Sequence, residues 1–170
     1  MANKYIEMLD AKRTKEFTTV TVAIKNNKTA SMLKALASGK YSELTASTTY
    51  IYQHIVSENS YPEIAAALEE IGINEMTHLD ALMAATLAFG GNPTYTNGQG
   101  SFWNARLVNY NNNVQKYLNE NIKAEEVAIA DYEKAKTKTD NQSLITLFDE
   151  IINDEKIHIE IFKEMLKDIQ

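Results

Sequence analysis

Two Glu-x-x-His motifs interrupt otherwise apolar helical patterns, and they constrain the fold of this chain more than any other feature. They read Glu75-Met-Thr-His78 and Glu155-Lys-Ile-His158, and they contain two of the three histidines in the sequence. Residues three apart lie on the same face of a helix, so each motif points a carboxylate and an imidazole toward the same neighbours. Burying such groups costs considerable free energy unless they are paired. The motifs therefore predict buried polar groups with a functional role.

Long uninterrupted helices are expected, because the 170 residues include only two prolines and six glycines. Four helices are predicted: from about Ser42 to Glu58, from Pro62 to the Gly90-Gly91 pair, from after Asn113 to near Lys136, and from after Asp140, as N-cap, almost to Gln170. The links between them are short, long and short, which is typical of an antiparallel four-helix bundle with one crossover between its second and third helices. Residues 39–170 are predicted to form this all-α bundle.

Residues 1–38 are predicted to form a small N-terminal extension of the bundle. The alternation of Val20, Val22 and Ile24 permits a short strand. Thr29 is a candidate N-cap for a short helix over residues 30–37.

The heptad spacing of the predicted helices places one glutamate of each helix at an inward position. On the last helix the inward positions are Leu144, Phe148, Ile151, Glu155, His158, Phe162 and Met165. On the second they are Leu68, Ile71, Glu75, His78, Leu82, Ala85 and Phe89. The third helix directs Glu125 inward and Glu126 outward, and the first carries Glu43 on one face with Ser47, Tyr50 and His54. The middle of the bundle should thus contain four glutamates and two histidines.

Four buried carboxylates repel one another strongly unless they are protonated or neutralised. Two divalent cations offset four negative charges, and carboxylate and imidazole ligands suit iron, manganese or zinc. A glutamate from each of two helices and a Glu-x-x-His from each of the other two is the ligand pattern of di-iron and di-manganese carboxylate proteins. Because the chain has no cysteine, a purely structural zinc site is disfavoured.

The overall composition narrows the class of protein. A formal net charge of −6 and a pI near 5.1 disfavour nucleic acid or an anionic membrane as the main partner. The N-terminus lacks an apolar core typical of a signal peptide, and no apolar run is long enough to span a membrane. A soluble, cytoplasmic protein is expected.

The ligand motifs resemble those of the ferritin-like superfamily, bacterioferritin and rubrerythrin most closely, over roughly residues 40–168. Glu43-Leu-Thr-Ala-Ser-Thr-Thr-Tyr50 and Glu125-Glu-Val-Ala-Ile-Ala-Asp-Tyr132 look like the motifs of the first and third helices, each a Glu with a Tyr seven residues later. Glu75-Met-Thr-His78 and Asp154-Glu155-Lys-Ile-His158 look like those of the second and fourth. The order of Glu and His is also similar to that of manganese catalases.

This resemblance implies two metal ions per chain, iron or manganese. It places Glu43 and His78 on one metal and Glu125 and His158 on the other, with Glu75 and Glu155 bridging. In an arrangement closer to manganese catalases, a carboxylate of the fourth helix would act as a base instead.

Three functions are consistent with such a centre. The first is a dinuclear non-haem oxidoreductase that reacts with hydrogen peroxide or dioxygen, as a peroxidase or catalase in oxidative-stress defence. Its electrons would come from a separate donor or, in dismutation, from peroxide itself. The alternatives are a ferroxidase that handles iron and a metal-stabilised bundle without turnover. Hydroxylation of an organic substrate would need an apolar pocket beside the metals. A homodimer or small homo-oligomer is expected in each case.

Several further residues have two interpretations. Tyr50 and Tyr132 either take part in catalysis, as carboxylate partners or radical sites, or are packed tyrosines with a satisfied hydroxyl. Met76 falls where bacterioferritins ligate haem, but haem is not expected and a surface role is favoured. Asp154 and Asp80 either orient a histidine or are surface charges. His54, in the first helix, is expected to be a structural or a surface residue, and Trp103 is expected to pack on a bundle edge.

Overall fold

The computed structural model describes residues 2–169, and over this range the chain is helical with no named strand. Six α-helices occur in the order α1 (Lys4–Lys12), α2 (Asn27–Ser38), α3 (Glu43–Ser57), α4 (Pro62–Ala88), α5 (Val114–Lys136) and α6 (Gln142–Asp168). A short 3-10 turn, Ala105–Leu107, lies in the crossover between α4 and α5. Among these described helices, none combines the length and apolar character needed to cross a membrane.

Helices α3 to α6 form the predicted ferritin-like four-helix bundle, which confirms the fold class. The starts of these helices follow from local chemistry. The Ser42 side chain accepts a hydrogen bond from the amide of Thr45, and Pro62 occupies the first turn of α4. The predicted N-cap Asp140 is wrong by one residue, because the side chain of Asn141 accepts from the amide of Leu144 at 2.9 Å.

The N-terminal segment differs most from the prediction. A helix over residues 4–12 was not expected, although Asn3 caps it and Tyr5 and Leu9, four residues apart, are buried. The predicted strand through Val20 and Ile24 is absent from the described residues. A strand needs a partner strand, and here the amide of Thr21 instead donates to the Ser143 hydroxyl of α6 at 3.0 Å.

The second N-terminal helix starts earlier than expected. Asn26, not Thr29, is the N-cap of α2, because its side chain accepts from the amides of Lys28 and Thr29. Both N-terminal helices pack on the bundle: α1 contacts α4 and α6, while α2 contacts α3, α4 and α5.

Two apolar clusters fill the bundle, and a polar layer separates them along its axis. One cluster includes Leu82 of α4 and Phe148 of α6 together with Leu33 of α2. The other includes Leu68 of α4 and Phe162 of α6 together with Leu9 of α1. Along α4 and α6 the two clusters lie on opposite sides of the Glu-x-x-His motifs. The polar side chains therefore lie between two apolar clusters, which exclude water from both ends of the layer.

Candidate metal centre

The six predicted ligands meet in this polar layer. Glu43 comes from α3, Glu125 from α5, and the two Glu-x-x-His motifs from α4 and α6. All six are buried: Glu75, His78, Glu155 and His158 are 0% exposed, and Glu43 and Glu125 are 2% exposed. The prediction that these positions face inward is confirmed, and the outward position of Glu126 is confirmed by its exposure.

The six side chains form two overlapping groups of possible ligand atoms. Within each group, one atom from every residue lies within 4.8 Å of the others. The groups are Glu43, Glu75, His78 and Glu155, and Glu75, Glu125, Glu155 and His158. Glu75 and Glu155 belong to both. The arrangement is that of two adjacent four-residue sites that share two carboxylates.

Both imidazoles turn the same nitrogen toward the carboxylates. Nδ1 of His78 lies 3.0 Å from Oε2 of Glu75 and 3.4 Å from Oε2 of Glu43. Nδ1 of His158 lies 2.9 Å from Oε2 of Glu155 and 3.0 Å from Oε1 of Glu75. The two rings are stacked with centroids 5.9 Å apart. The Nδ1 atoms are thus the ring nitrogens available to a metal.

Two buried carboxylate oxygens indicate whether the six side chains are suited to bind metal ions. Oε1 of Glu75 and Oε1 of Glu155 are buried, and within residues 2–169 neither makes a well-directed hydrogen bond. They lie 3.0 Å from Nδ1 of His158 and 3.4 Å from Nδ1 of His78, respectively. Buried carboxylate oxygens without a donor are costly, and they belong to the two residues common to both groups. A cation between the groups would satisfy both, so the donor set fits a dinuclear metal centre.

The outer nitrogens of the two histidines are held by a buried polar pair. Nε2 of His78 lies 3.2 Å from Oδ2 of Asp154, and Nε2 of His158 lies 3.2 Å from Oδ1 of Asn74. The amide Nδ2 of Asn74 also donates to Oδ2 of Asp154 at 3.3 Å. The orienting role considered for Asp154 thus has the required geometry. Exposed Asp80 does not reach the centre.

The two predicted tyrosines lie against the ligands from opposite sides. The hydroxyl of Tyr50 donates to Oε1 of Glu125, and the hydroxyl of Tyr132 donates to Oε1 of Glu43. Both tyrosines are 1% exposed. Burial raises the pKa of each phenol, and the adjacent carboxylate raises it further. Both phenols therefore stay protonated and act as donors.

Burial and like charge together hold protons in the cluster when no metal is present. Burial raises the pKa of Glu43 and that of Glu125 well above the usual range, and the charge of Glu155 raises both further. Burial lowers the pKa of an imidazole, but the neighbouring carboxylates more than reverse this for His78 and His158, whose pKa values are raised well above 6.5. A metal ion must displace these protons to bind.

A cavity of about 420 Å³ lies between α3 and α5 and reaches the centre. Glu43, Glu125 and Glu155 form its inner end, and exposed Lys40 and Lys123 lie at its outer end. Most of its wall is apolar. Small molecules therefore have a route from the surface to three of the six candidate ligands.

The other residues singled out in the sequence lie away from the centre. Met76 is 55% exposed on α4, in agreement with a surface position. Nδ1 of His54 lies 2.9 Å from the carbonyl oxygen of Ala65, so this histidine bridges α3 and α4. Trp103 donates from Nε1 to the Thr45 hydroxyl at 2.9 Å and packs the crossover onto α3, as expected.

Two residues of the hydrogen-bond network around the Nε2 atoms of His78 and His158 were not predicted from the sequence. Asn74 is buried directly before Glu75, four residues from His78, and this helical spacing was the available signal. Thr14 donates to Asp154 from a distant part of the chain, and no local pattern indicates that contact.

Solved structures with this fold include dinuclear metal proteins. KatB, a manganese catalase from Anabaena, aligns with a TM-score of 0.80 and 24% identity, covering 92% of this chain and 80% of that one. A Desulfovibrio desulfuricans bacterioferritin, described with a diiron site, aligns with a TM-score of 0.70, 22% identity and coverages of 85% and 84%. A Rhodobacter capsulatus bacterioferritin aligns with a TM-score of 0.71, 20% identity and coverages of 85% and 86%. At these identities the likeness shows a common fold.

Sequence comparison supplies the family. No curated protein sequence matches this chain significantly. The family model described as Rubrerythrin matches residues 34–166, a range that contains all six candidate ligands and both buried tyrosines. Since this match spans most of the chain, the protein belongs to the rubrerythrin family.

Proposed function

We propose that this protein is a dinuclear iron or manganese oxidoreductase that reacts with hydrogen peroxide or dioxygen. The main support is the pair of overlapping ligand groups that share the buried residues Glu75 and Glu155. Membership of the rubrerythrin family supports the same conclusion. Iron and manganese suit these oxygen and nitrogen donors, and both change oxidation state, which zinc does not.

The proposed ligand roles follow the two groups. Glu43 and His78 would hold one metal, Glu125 and His158 the other, and the two shared glutamates would bridge them. When bound, the metals supply the electron-transfer chemistry toward the oxygen species.

The chain itself supplies orientation, charge and exclusion of water. Asp154 and Asn74 fix the rings of the two histidines, which leaves each Nδ1 free to bind. Tyr50 and Tyr132 hold Glu125 and Glu43, the two glutamates that would each bind a single metal, by hydrogen bonds. The apolar clusters above and below keep water out, and the cavity between α3 and α5 admits a small oxidant. Glu155 also lines that cavity, so a molecule that enters it comes close to one of the two shared carboxylates.

A ferroxidase role in iron handling is the second candidate, and the same donor set supports it, since bacterioferritin-like bundles carry such centres. The two candidate functions differ in the number of metal ions that each chain processes. A ferroxidase processes many ferrous ions per chain under air, whereas a peroxidase or catalase retains its two metals and consumes peroxide.

Metal content is the first experiment. Protein purified without added metal or chelator should contain about two iron or manganese ions per chain by elemental analysis. His78→Ala should lose the metal, and His54→Ala, changed at the α3–α4 bridge outside the centre, should keep it. Peroxide consumption and ferrous-ion oxidation by the metal-loaded protein then separate the two candidates. A folded protein without metal, or a His78→Ala variant with normal metal content, would reject the proposal.

A further inference from the structure

The cavity between α3 and α5 is larger than the proposed oxidants require. Hydrogen peroxide and dioxygen each have two heavy atoms, whereas a volume of about 420 Å³ falls in the range of pockets that bind small organic molecules. Its walls include Ala46 of α3, Leu107 of the crossover, and Ala128 of α5. The apolar part of the wall favours the ring or chain of an organic compound.

The two ends of the cavity differ in chemistry. The inner end carries the candidate metal ligands Glu43, Glu125 and Glu155. The outer end carries two ammonium groups: Lys40, whose Nζ lies 4.9 Å from the centroid of the Tyr41 ring, and Lys123, which acts by charge on Glu120 of the same cavity. Neither lysine forms an ion pair among the described residues, so the two positive charges outnumber the one carboxylate there. A molecule that fits has an oxygen at one end, an apolar middle, and a negative charge at the other end.

The peroxidase form of the proposed chemistry, unlike dismutation, also needs an electron donor. Reduction of one peroxide to two waters consumes two electrons and two protons, and a chain without cysteine has no thiol to supply them. We propose that the cavity binds a small phenol with an anionic substituent, and that this compound is the electron donor. Two phenols each lose one electron and one proton, and one hydrogen peroxide gains both pairs and becomes two waters. This inference rests on the proposed function.

Direct binding tests the site separately from turnover. The probe is 4-hydroxybenzoate, titrated by calorimetry into zinc-loaded protein, which cannot react. We expect saturable binding. Ala128→Leu, which fills the cavity, should weaken it by about tenfold or more, and Ala130→Leu, on an exposed position of the same helix, should not. Absence of binding at millimolar concentrations, or equal binding by both variants, would overturn the site.

Turnover then tests the donor role. Iron- or manganese-loaded protein should consume peroxide faster with 4-hydroxybenzoate than without it, and Ala128→Leu should lose this gain while Ala130→Leu keeps it. Peroxide consumption that releases one dioxygen per two peroxides and ignores the phenol would leave the proposed function intact and refute the donor. Absence of peroxide consumption under all conditions would refute the proposed function, and the donor role with it.

A second, independent observation concerns the N-terminal arm, defined as residues 13–25 between α1 and α2. Thr14 donates to Oδ1 of Asp154 twice, from its amide at 2.8 Å and from its hydroxyl at 3.0 Å. One helical turn earlier on α6, Glu150 receives the amide and hydroxyl of Thr18 at 2.8 and 2.6 Å. Two threonines thus attach the arm to α6, each through its amide and its hydroxyl, but only the acceptor of Thr14, Asp154, also contacts a candidate metal ligand.

The other oxygen of Asp154 continues the chain of hydrogen bonds inward. Oδ2 lies 3.2 Å from Nε2 of His78 and accepts from Asn74, which contacts His158 in turn. Oδ1 accepts both hydrogen bonds of Thr14 and a third from Nδ2 of Asn153 at 3.2 Å, and these bonds oppose rotation of the Asp154 carboxylate away from the imidazole. The geometry points to Thr14 as a positioning residue for the metal-binding histidines, acting through Asp154.

A matched pair of variants tests this role. Thr14→Val and Thr18→Val each remove one hydroxyl donor from the arm. We expect Thr14→Val to weaken zinc binding by about tenfold in chelator competition, Thr14→Ser to restore it, and Thr18→Val to leave it unchanged. Normal zinc affinity in Thr14→Val, or an equal loss in both valine variants, would show that the arm only stabilises the fold. If Thr14→Val does not fold, Thr14→Ala removes the same hydroxyl without β-branching.

Discussion

The hydroxyl of Tyr132 on α5 donates a hydrogen bond to Glu43 on α3, and Tyr50 on α3 returns the same contact to Glu125 on α5. Each helix thus gives one glutamate and one tyrosine, seven residues apart, to a reciprocal pair of bonds. These bonds cross the bundle where α3 and α5 stand apart and leave the cavity. They hold Glu43 and Glu125 in position within the polar layer.

Tyr132→Phe should therefore destabilise the metal-free protein. The change leaves a buried oxygen of Glu43 without its donor, which costs about 1–3 kcal/mol. Denaturant unfolding of the metal-free protein measures this loss. Tyr95→Phe is the control, because that tyrosine is 50% exposed, and it should have little effect. Equal stability of the two variants would mean that the Tyr132 hydroxyl contributes nothing to the fold.

Metal affinity should increase with pH. The pKa values of Glu43, Glu125, His78 and His158 are raised, so the metal-free cluster retains protons that compete with the metal. Raising the pH removes this competitor, and lowering it strengthens it. Zinc competition titrations between about pH 6 and about pH 8 measure the trend. Calorimetry in buffers of different ionisation enthalpy should show protons released on binding, and a pH-independent affinity without release contradicts the assignment.

Gly98→Ala should loosen the crossover more than Gly100→Ala. Both glycines have positive φ, +79° and +96°, so alanine is strained at either position by about 1 kcal/mol. Of the two, only Gly98 would bring the new Cβ into a clash, with the Ser31 carbonyl oxygen of α2. The difference in unfolding free energy between the variants should be about 1–3 kcal/mol. Equal effects would show that the crossover moves freely away from α2.

Leu33→Ala should destabilise the whole bundle and not α2 alone. Leu33 is 0% exposed and belongs to the apolar cluster that also contains core residues of α4 and α6. The expected loss is about 2–5 kcal/mol in a single transition, seen together by circular dichroism and by Trp103 fluorescence. Leu87→Ala, at a position 62% exposed on α4, should change stability by no more than about 0.5 kcal/mol. Separate transitions would support the division at residue 38 predicted from the sequence.

The bundle could be predicted because the sequence signals for its helices, the capping residues and the spacing of apolar residues, are local and periodic. The predicted helix from Ser42 to Glu58 corresponds to Glu43–Ser57, and the start at Pro62 is confirmed. The inward glutamates follow from the same periodicity, since a buried charge at a core position has few alternatives to a metal.

The N-terminal segment could not be predicted in this way. Val20 and Ile24 alternate as in a strand, yet Val20 is 9% exposed and Ile24 is 82% exposed on an arm that follows α6. Whether an extended segment becomes a strand depends on a partner that may lie anywhere in the chain. The contact of Thr14 with Asp154 spans 140 residues, and no local pattern contains it.

The arm also contributes to a difference between the surroundings of His78 and His158. The two helix pairs offer matching donors, one glutamate and one Glu-x-x-His each, so the ligands alone would make the two metal positions equivalent. The ring of Phe17 stands edge-on to His78, with centroids 5.3 Å apart, and Asp154 contacts that histidine and not His158. The two metal positions would therefore be inequivalent, partly through Phe17 of the arm and partly through the difference between Asp154 of α6 and Asn74 of α4.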